Sequence, residues 1–216
     1  MKLLLVAALL IPALASASGS KTKKFLITIT NLTKAQVLTM PVVALHSPSS
    51  ALFEVGKPAS PGLTLLAEDG GTDVLEDELR ALGRSRVDNY VTGDSNIRPG
   101  QSLEILIKTK NASKVKLSLV AMLATTNDAF VAAMNVRLPS RVKVLDLKAY
   151  DAGTEFNSES CEKVPGPPCG SHGARDTANA EGVVSEFKGL TGSGDIDLET
   201  YGFEGAPAKI KIELVK

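Results

Sequence analysis

Tryptophan is absent from this 216-residue chain, which also has only two histidines, two cysteines, three tyrosines and six phenylalanines. The scarcity of histidine leaves little room for nucleophilic catalysis, which usually relies on a neighbouring base. A charge excess is lacking too, because 24 Lys and Arg balance 24 Asp and Glu. A chain without net charge has no long-range field that attracts nucleic acid, so we expect no nucleic-acid partner.

The familiar sequence signatures of enzymes are missing as well. The chain contains no G-x-S-x-G, H-E-x-x-H or G-x-G-x-x-G motif. No second feature pairs His46 or His172 with a nucleophile, so we interpret both as packing or loop residues. Paired carboxylates for glycoside cleavage stay open because Asp and Glu are plentiful. The sequence favours a protein that is not an enzyme, with an unrecognised secreted hydrolase as the alternative.

The N-terminus predicts a secretory signal peptide over residues 1–17. Lys2 precedes the apolar run Leu3 to Leu14, and Ala15-Ser16-Ala17 supplies the small residues of a cleavage site. As a helix this run is about 18 Å long, too short for a hydrocarbon core about 30 Å thick. We therefore expect export, one domain over residues 18–216 and no membrane span. Extracellular medium, cell surface and periplasm all remain open as its location.

Cys161 and Cys169 are the only cysteines. Export to an oxidising compartment favours a disulfide between two nearby cysteines. A zinc site that adds His172 would have only three ligands, and the gap between the cysteines exceeds the usual two to four residues. We predict the disulfide.

Alternation of apolar and polar residues dominates the rest of the chain and predicts strands. The strand-like runs are Phe25–Ile29, Gln36–Leu45, Leu103–Ile107, Val115–Leu119, Phe130–Val136, Arg141–Leu147, Gly182–Phe187 and Lys209–Val215. Seven or eight short strands separated by Gly, Pro and Asn indicate an all-β fold with minor α content, arranged as an antiparallel β-sandwich.

One segment has helical spacing instead. Asp73 and Glu76 resemble a capping box, and Leu75, Leu79 and Leu82 follow on one helical face. A second helical turn over residues 49–53 has a weaker signal. We expect one or two short helices laid on the sandwich.

The longest stretch without a periodic element runs from Tyr150 to about Ala180 and contains both cysteines. Asp151 and Glu155 lie four residues apart at its start, and Gly153 permits the tight backbone that would bring their carboxylates together. A third carboxylate at that point would favour a cation, and calcium suits oxygen ligands from loops. Asp, Gly and Thr are also ordinary turn residues, so the spacing alone leaves both interpretations open.

Several motifs together resemble the spondin domain, most closely the stand-alone spondin-domain proteins of microbes. They are Thr125-Thr-Asn-Asp-Ala-Phe130, Ala149-Tyr-Asp-Ala-Gly-Thr-Glu155 and Pro165-Gly-Pro-Pro-Cys-Gly170, supported by Pro41-Val-Val-Ala-Leu-His46, Leu52-Phe-Glu-Val-Gly56 and Leu66-Ala-Glu-Asp-Gly70. The resemblance spans the chain from about Phe25 to the C-terminus.

The resemblance implies a C2-like β-sandwich with short helices and a calcium ion at one end. The acidic ligands of the family fall on Asp128, Asp151 and Glu155, so that Asp128 supplies the third carboxylate. It further implies a secreted calcium-binding module for adhesion or recognition, whose partner is an unknown surface, matrix or envelope component.

The chain also departs from the family pattern. Animal members usually have Trp and a nearby Gly after the first Asp, where this chain has Ala129, Phe130 and Ala132. It contains none of the thrombospondin repeats that accompany the domain in F-spondin, so matrix and integrin binding are not carried over. A structural role, with calcium only stabilising the loops, stays open as the alternative to recognition.

Overall fold

The computed structural model describes residues 21–215, and the predicted signal peptide lies outside the described residues. The described chain forms nine strands and three helices. The strands are β1 (Lys23–Asn31), β2 (Val42–His46), β3 (Val87–Thr92), β4 (Ser102–Thr109), β5 (Lys116–Met122), β6 (Ala129–Arg137), β7 (Val142–Asp151), β8 (Ser185–Glu186) and β9 (Ala208–Val215). The helices are α1 (Pro61–Asp69), α2 (Asp73–Ala81) and α3 (Leu198–Tyr201).

The strands pair antiparallel in the order β3-β2-β5-β6-β7-β9-β1-β4, and β8 adds to β7. Strand β7 joins the two halves, because residues 142–147 pair with β9 while residues 148–151 pair with β6. The outer strands approach each other where Asn89 Nδ2 donates to the carbonyl of Lys108 at 3.0 Å. The result is a sandwich that almost closes into a barrel, which confirms the predicted all-β fold with minor α content.

The main core lies between the two halves of the sheet. Alternate residues of β1, Phe25, Ile27 and Ile29, face it and are fully or almost fully buried. Strand β5 is buried on both faces, since Leu117 and Leu119 face the main core while Val120 faces the helices. This double burial explains why the second half of β5, from Leu119 to Met122, is continuously apolar, whereas Val115, Leu117 and Leu119 alternate with polar residues.

A second apolar cluster lies under α1 and α2 and includes Leu63, Leu66, Leu75, Leu79 and Phe130. Helix α1 was not predicted from the sequence. It begins at an N-cap where the Ser60 hydroxyl accepts a hydrogen bond from Leu63 N at 3.2 Å. It ends at Gly70, whose φ of 73° suits a residue without a side chain.

Helix α2 confirms the predicted helix, but the predicted capping box is wrong. The N-cap residue is Thr72, and no side-chain hydrogen bond caps this end of the helix. Asp73 and Glu76 lie in the first turn, where their charges favour the positive end of the helix dipole. The leucine spacing indicated the helix correctly because Leu75 and Leu79 form its buried face.

Other local predictions differ from the structure. The predicted strand over 36–45 is regular only over β2, and Leu38 forms isolated bridges to Ile97 and Leu123. The predicted strand over 182–187 is reduced to β8, and residues 49–53 form no helix. Strand β3 was missed because only its first residue, Val87, is buried, which leaves no alternation to detect.

The predicted disulfide is present, with Cys161 and Cys169 Cα atoms 4.8 Å apart. The loop that it closes lies against the end of β5, where Gly166 N donates to the carbonyl of Ala124 at 2.7 Å. Thr125 Oγ1 also donates to the carbonyl of Pro167 at 2.7 Å. Within residues 21–215, no helix is long and apolar enough to cross a membrane.

Candidate metal centre

The β6–β7 pairing brings two of the predicted ligands together. Asp128 immediately precedes β6 and Asp151 ends β7, where it pairs with Ala129. Ala152 N donates to the carbonyl of Asp128 at 3.1 Å and continues the pairing beyond the strand. Both aspartates therefore lie at one end of the sandwich, next to the loop that carries Glu155.

Asp128 is fully buried, and its two carboxylate oxygens differ in their surroundings. Oδ2 accepts hydrogen bonds from Thr154 N at 2.7 Å, Thr154 Oγ1 at 3.1 Å and Glu155 N at 3.0 Å. Oδ1 is buried and has no hydrogen-bond partner among the described residues. Asp128 thus holds the 154–155 backbone with one oxygen and leaves the other available.

Asp151 and Glu155 are buried with exposed fractions of 5% and 1%. Asp151 Oδ1 accepts from Gly153 N at 2.6 Å, and its Oδ2 accepts from Asn157 Nδ2. Glu155 Oε2 accepts a long hydrogen bond of 3.4 Å from Asn127 Nδ2. Glu155 Oε1 is buried and has no hydrogen-bond partner within residues 21–215.

Gly153 makes the tight turn between Asp151 and Glu155 possible. Its φ is 69°, and a Cβ atom on it would lie 2.2 Å from the carbonyl oxygen of Val183. The 182–184 segment packs directly on this turn, since Gly182 N donates to the carbonyl of Gly153 at 2.7 Å. Glycine is required here both for the left-handed backbone and for the close approach.

Burial and nearby negative charges raise the pKa of all three carboxyl groups. Desolvation, with the nearby charge of Asp151, raises the pKa of Asp128 to about 7. Desolvation, with the nearby charge of Glu68, raises the pKa of Glu155 to about 7. Burial also raises the pKa of Asp151 above its ordinary value. Each group is costly to ionise without a compensating cation.

The cluster does not form a ready coordination shell. Among the described residues, no group of three or more His, Cys, Asp or Glu side chains is arranged to hold a metal ion. The chemistry of the three carboxylates nevertheless fits a hard cation such as calcium, because the donors are all oxygens and two of them are buried without hydrogen bonds. In such a site Asp128 Oδ1 and Glu155 Oε1 are the oxygens available to an ion.

Two charged residues at this site were not predicted from the sequence. Glu68, near the end of α1, is buried close to Glu155. Arg175, in the loop after the disulfide, forms ion pairs with Glu68 and Asp69, and its Nε lies 3.7 Å from Glu155 Oε1. No local signal marks either residue, since their contacts join segments about a hundred residues apart.

Another buried acid near the site, Glu159, has a structural role. Glu159 has a φ of 53°, and its carboxylate accepts from the backbone of Thr191 and, at 2.8 Å, from Gly192 N. Its own N–H donates to Asn127 Oδ1 at 3.1 Å. Glu159 therefore ties the 190s loop to the site, and both of its oxygens already accept hydrogen bonds.

The histidines do not form an accessible catalytic site. His46 Nε2 lies 2.8 Å from Ser118 Oγ, an arrangement that chemically resembles a Ser–His pair, but both residues are fully buried. His46 Nδ1 is 2.7 Å from the carbonyl of Ser47, so Nδ1 donates and Nε2 accepts. His172 is exposed in the loop after the disulfide. The interpretation of His46 as a packing residue agrees with this geometry.

Comparison with protein families adds an independent finding. The family described as Spondin_N matches residues 32–169, which is more than half of the chain and includes Asp128, Asp151, Glu155 and both cysteines. A comparison with curated protein sequences gives no match. Domains of this family are typically extracellular and generally non-catalytic. The chain therefore belongs to the spondin N-terminal domain family.

Proposed function

We propose that this protein is a calcium-binding recognition module that acts outside the cytoplasm, without catalytic activity, and contacts a surface, matrix or envelope component. The observation that carries the proposal is the pair of buried carboxylate oxygens, Asp128 Oδ1 and Glu155 Oε1, that lack hydrogen bonds among the described residues. Buried acceptors are normally satisfied, and these two belong to carboxyl groups with a strongly raised pKa.

A divalent cation would stabilise the ionised carboxylates in two ways. It would replace the missing hydrogen bonds, and it would offset the repulsion between the negative charges. Asp128, Asp151 and Glu155 would hold it, and loop carbonyls or water would complete six to eight oxygen ligands. Calcium suits this site better than magnesium because calcium tolerates irregular ligand geometry from flexible loops. When bound, the ion supplies positive charge that fixes the loops at this end of the sandwich.

The disulfide and the family support the part of the proposal that places the protein outside the cytoplasm. The disulfide between Cys161 and Cys169 is stable in an oxidising compartment, and spondin domains are typically extracellular. Extracellular modules commonly bind calcium with dissociation constants of only about 10⁻⁴–10⁻³ M, so a site of modest affinity would stay filled there.

Titration calorimetry of the domain with CaCl₂ tests the calcium site. We expect one ion per chain, and we expect Asp151→Asn to weaken binding at least about tenfold because it removes one of the three charges. Asp146→Asn is the matched control, since Asp146 is exposed on the same strand β7. Equal affinities for the wild type and Asp151→Asn would remove these ligands from the proposal.

A pull-down from the surface material of the source organism separates recognition from a purely structural role for calcium. The domain is used as bait in calcium and in chelator, with Asp151→Asn as the second bait. A partner retained only by the wild type in calcium supports recognition. A melting temperature that rises with calcium, without any calcium-dependent partner, would assign the ion to loop stabilisation alone.

A further inference from the structure

The loop after the disulfide brings a positively charged side chain to the acidic site. The side chain of Arg175 is 27% exposed and lies between the end of α1 and the loop that follows β7. Its guanidinium forms ion pairs with Glu68 and Asp69, and its Nε is 3.7 Å from Glu155 Oε1. Three carboxylates thus share one guanidinium.

The segment around Arg175 is held on both sides. Gly173 N donates to Asp69 Oδ1 at 3.1 Å, and Lys163 Nζ donates to the carbonyl of Arg175 at 3.2 Å. Phe156 N donates to the carbonyl of Asp176 at 2.6 Å, which links the residue after Glu155 to the residue after Arg175. Arg175 is therefore a tethered cation with a defined position beside Glu155.

Arg175 faces the very oxygen that an ion would use. Glu155 Oε1 accepts no hydrogen bond from the described residues, and the Arg175 guanidinium is the positive group nearest to it. A calcium ion held by Glu155 together with Asp128 and Asp151 would bring two further positive charges to Glu155. Guanidinium and ion would repel each other, and Glu155 would have to divide its charge between them.

Glu68 and Asp69 would allow Glu155 to leave Arg175 and bind an ion instead. If Glu155 turns towards an ion, Arg175 keeps its ion pairs with Glu68 and Asp69, so no unpaired charge is left in a partly buried position. The two residues of α1 would then serve as the remaining partners of the guanidinium.

We propose that Arg175 is an internal competitor for calcium, which pairs with Glu155 and lowers the affinity of the site formed by Asp128, Asp151 and Glu155. This inference rests on the proposed function and adds the residue that sets the strength of ion binding. A purely structural role, in which Arg175 only joins α1 to the loop, predicts the opposite direction, because its removal would loosen the site and weaken binding.

Titration calorimetry with CaCl₂ at constant pH and ionic strength distinguishes the two roles. Arg175→Met removes the charge and keeps much of the apolar stem, and Arg175→Gln removes the charge and keeps hydrogen-bond donors for Glu68 and Asp69. We expect either variant to bind calcium about tenfold more tightly than the wild type, the scale expected when one nearby charge is removed. Arg175→Lys keeps the charge, and we expect it to restore an affinity close to that of the wild type.

Arg84→Met is the matched control, because Arg84 is exposed in the turn before β3 and its loss changes the net charge equally. Its calcium affinity should equal that of the wild type. If Arg175→Met fails to fold, Arg175→Gln decides the question. Unchanged or weaker binding in the folded variant would overturn the competitor role while leaving the calcium site intact. Absence of binding to the wild type would overturn the proposed function and this inference together.

Discussion

The carboxylate of Asp128 accepts two hydrogen bonds from Thr154, at 2.7 Å from its backbone N–H and at 3.1 Å from its hydroxyl. Both bonds go to Oδ2, so Oδ1 points away from these donors and is buried. One residue thus serves two purposes, since it orders the loop that carries Glu155 and contributes an oxygen to the proposed ion site. Stability and ion binding are expected to oppose each other at this position.

The first prediction concerns Asp128→Asn in the absence of calcium. Burial raises the pKa of Asp128 from 3.8 to about 7, so the ionised form is disfavoured in the fold. The protonated carboxyl of Asp128 contributes stability that is fully present below the pKa of this group in the unfolded chain. That stability is lost as the pH rises through about 7. At pH 8 with chelator, we therefore expect Asp128→Asn to be more stable than the wild type. Urea titrations should give it a free energy of unfolding about 1–3 kcal/mol higher.

Calcium should offset or reverse this difference in stability. At a hundred times the dissociation constant, the ion adds about 2.7 kcal/mol to the wild type, whereas Asp128→Asn should gain much less. Asp146→Asn, on the exposed face of β7, should follow the wild type in both conditions. A variant that is less stable than the wild type in chelator would contradict the prediction.

The second prediction is that calcium affinity falls with acidity. The pKa values of Asp128 and Glu155 lie at about 7, so both groups bind protons increasingly as the pH drops from 8 to 6. Calcium must displace these protons, and the affinity should fall by up to about tenfold per pH unit for each group. Calorimetry in two buffers of different ionisation enthalpy measures the protons released at pH 7. Binding that is constant from pH 6 to pH 8 is the contrary outcome.

The third prediction concerns the buried histidine on β2. Burial lowers the pKa of His46 below 6.5, because the ring lies among core residues, and the hydrogen bond between Nδ1 and the Ser47 carbonyl opposes this shift only in part. The folded protein therefore binds this proton less readily than the unfolded chain, and stability falls as the pH decreases below about 6.5. The loss from this group is at most about 1.4 kcal/mol per pH unit.

The carboxyl groups at the metal centre have the opposite pH dependence, so the contribution of His46 must be measured as a difference. Urea titrations of the wild type and His46→Gln at pH 7.5, 6.5 and 5.5 should show a stability difference that narrows towards acid pH. His172→Gln is the control, because His172 is exposed. If the unfolding free energies of the wild type and His46→Gln change in parallel with pH, the lowered pKa of His46 is wrong.

The fourth prediction compares two glycines with left-handed backbones. A Cβ atom on Gly153 would lie 2.2 Å from the Val183 carbonyl oxygen, whereas a Cβ atom on Gly182 would meet nothing within 4 Å. Their φ values are 69° and 79°, so both Ala variants carry a similar backbone strain of about 1–2 kcal/mol. Only Gly153→Ala adds a steric clash.

We expect Gly153→Ala to lose at least about 1–3 kcal/mol more unfolding free energy than Gly182→Ala, because overpacking against backbone cannot relax easily. Calcium binding should weaken in the same variant, since the turn sets the positions of Asp151 and Glu155. Thermal melts and calorimetry check both effects. Equal losses of unfolding free energy in the two variants would show that the 182–184 segment can shift to accommodate a Cβ atom at position 153.

Local sequence patterns determined much of this fold. The alternation of Phe25, Ile27 and Ile29 predicted β1 correctly, because one face of the strand is buried and the other meets solvent. The leucine spacing predicted α2, and the two cysteines in one loop predicted their disulfide. Asp151 and Glu155 were found from spacing because they share one turn, and Asp128 was added by the resemblance to the spondin domain.

Only the tertiary structure decided the environment of these residues. The complete burial of Asp128 follows from the β6–β7 pairing and from the loop that covers it, and Gly153 is fixed by the packing of a segment about thirty residues away. Helix α1 places Glu68 and Asp69 against Arg175, a contact between residues about a hundred positions apart. Hydrophobic periodicity depends only on residues close together in the chain and can therefore be detected from the sequence. Desolvation and charge pairing depend on neighbours that only the folded chain brings together.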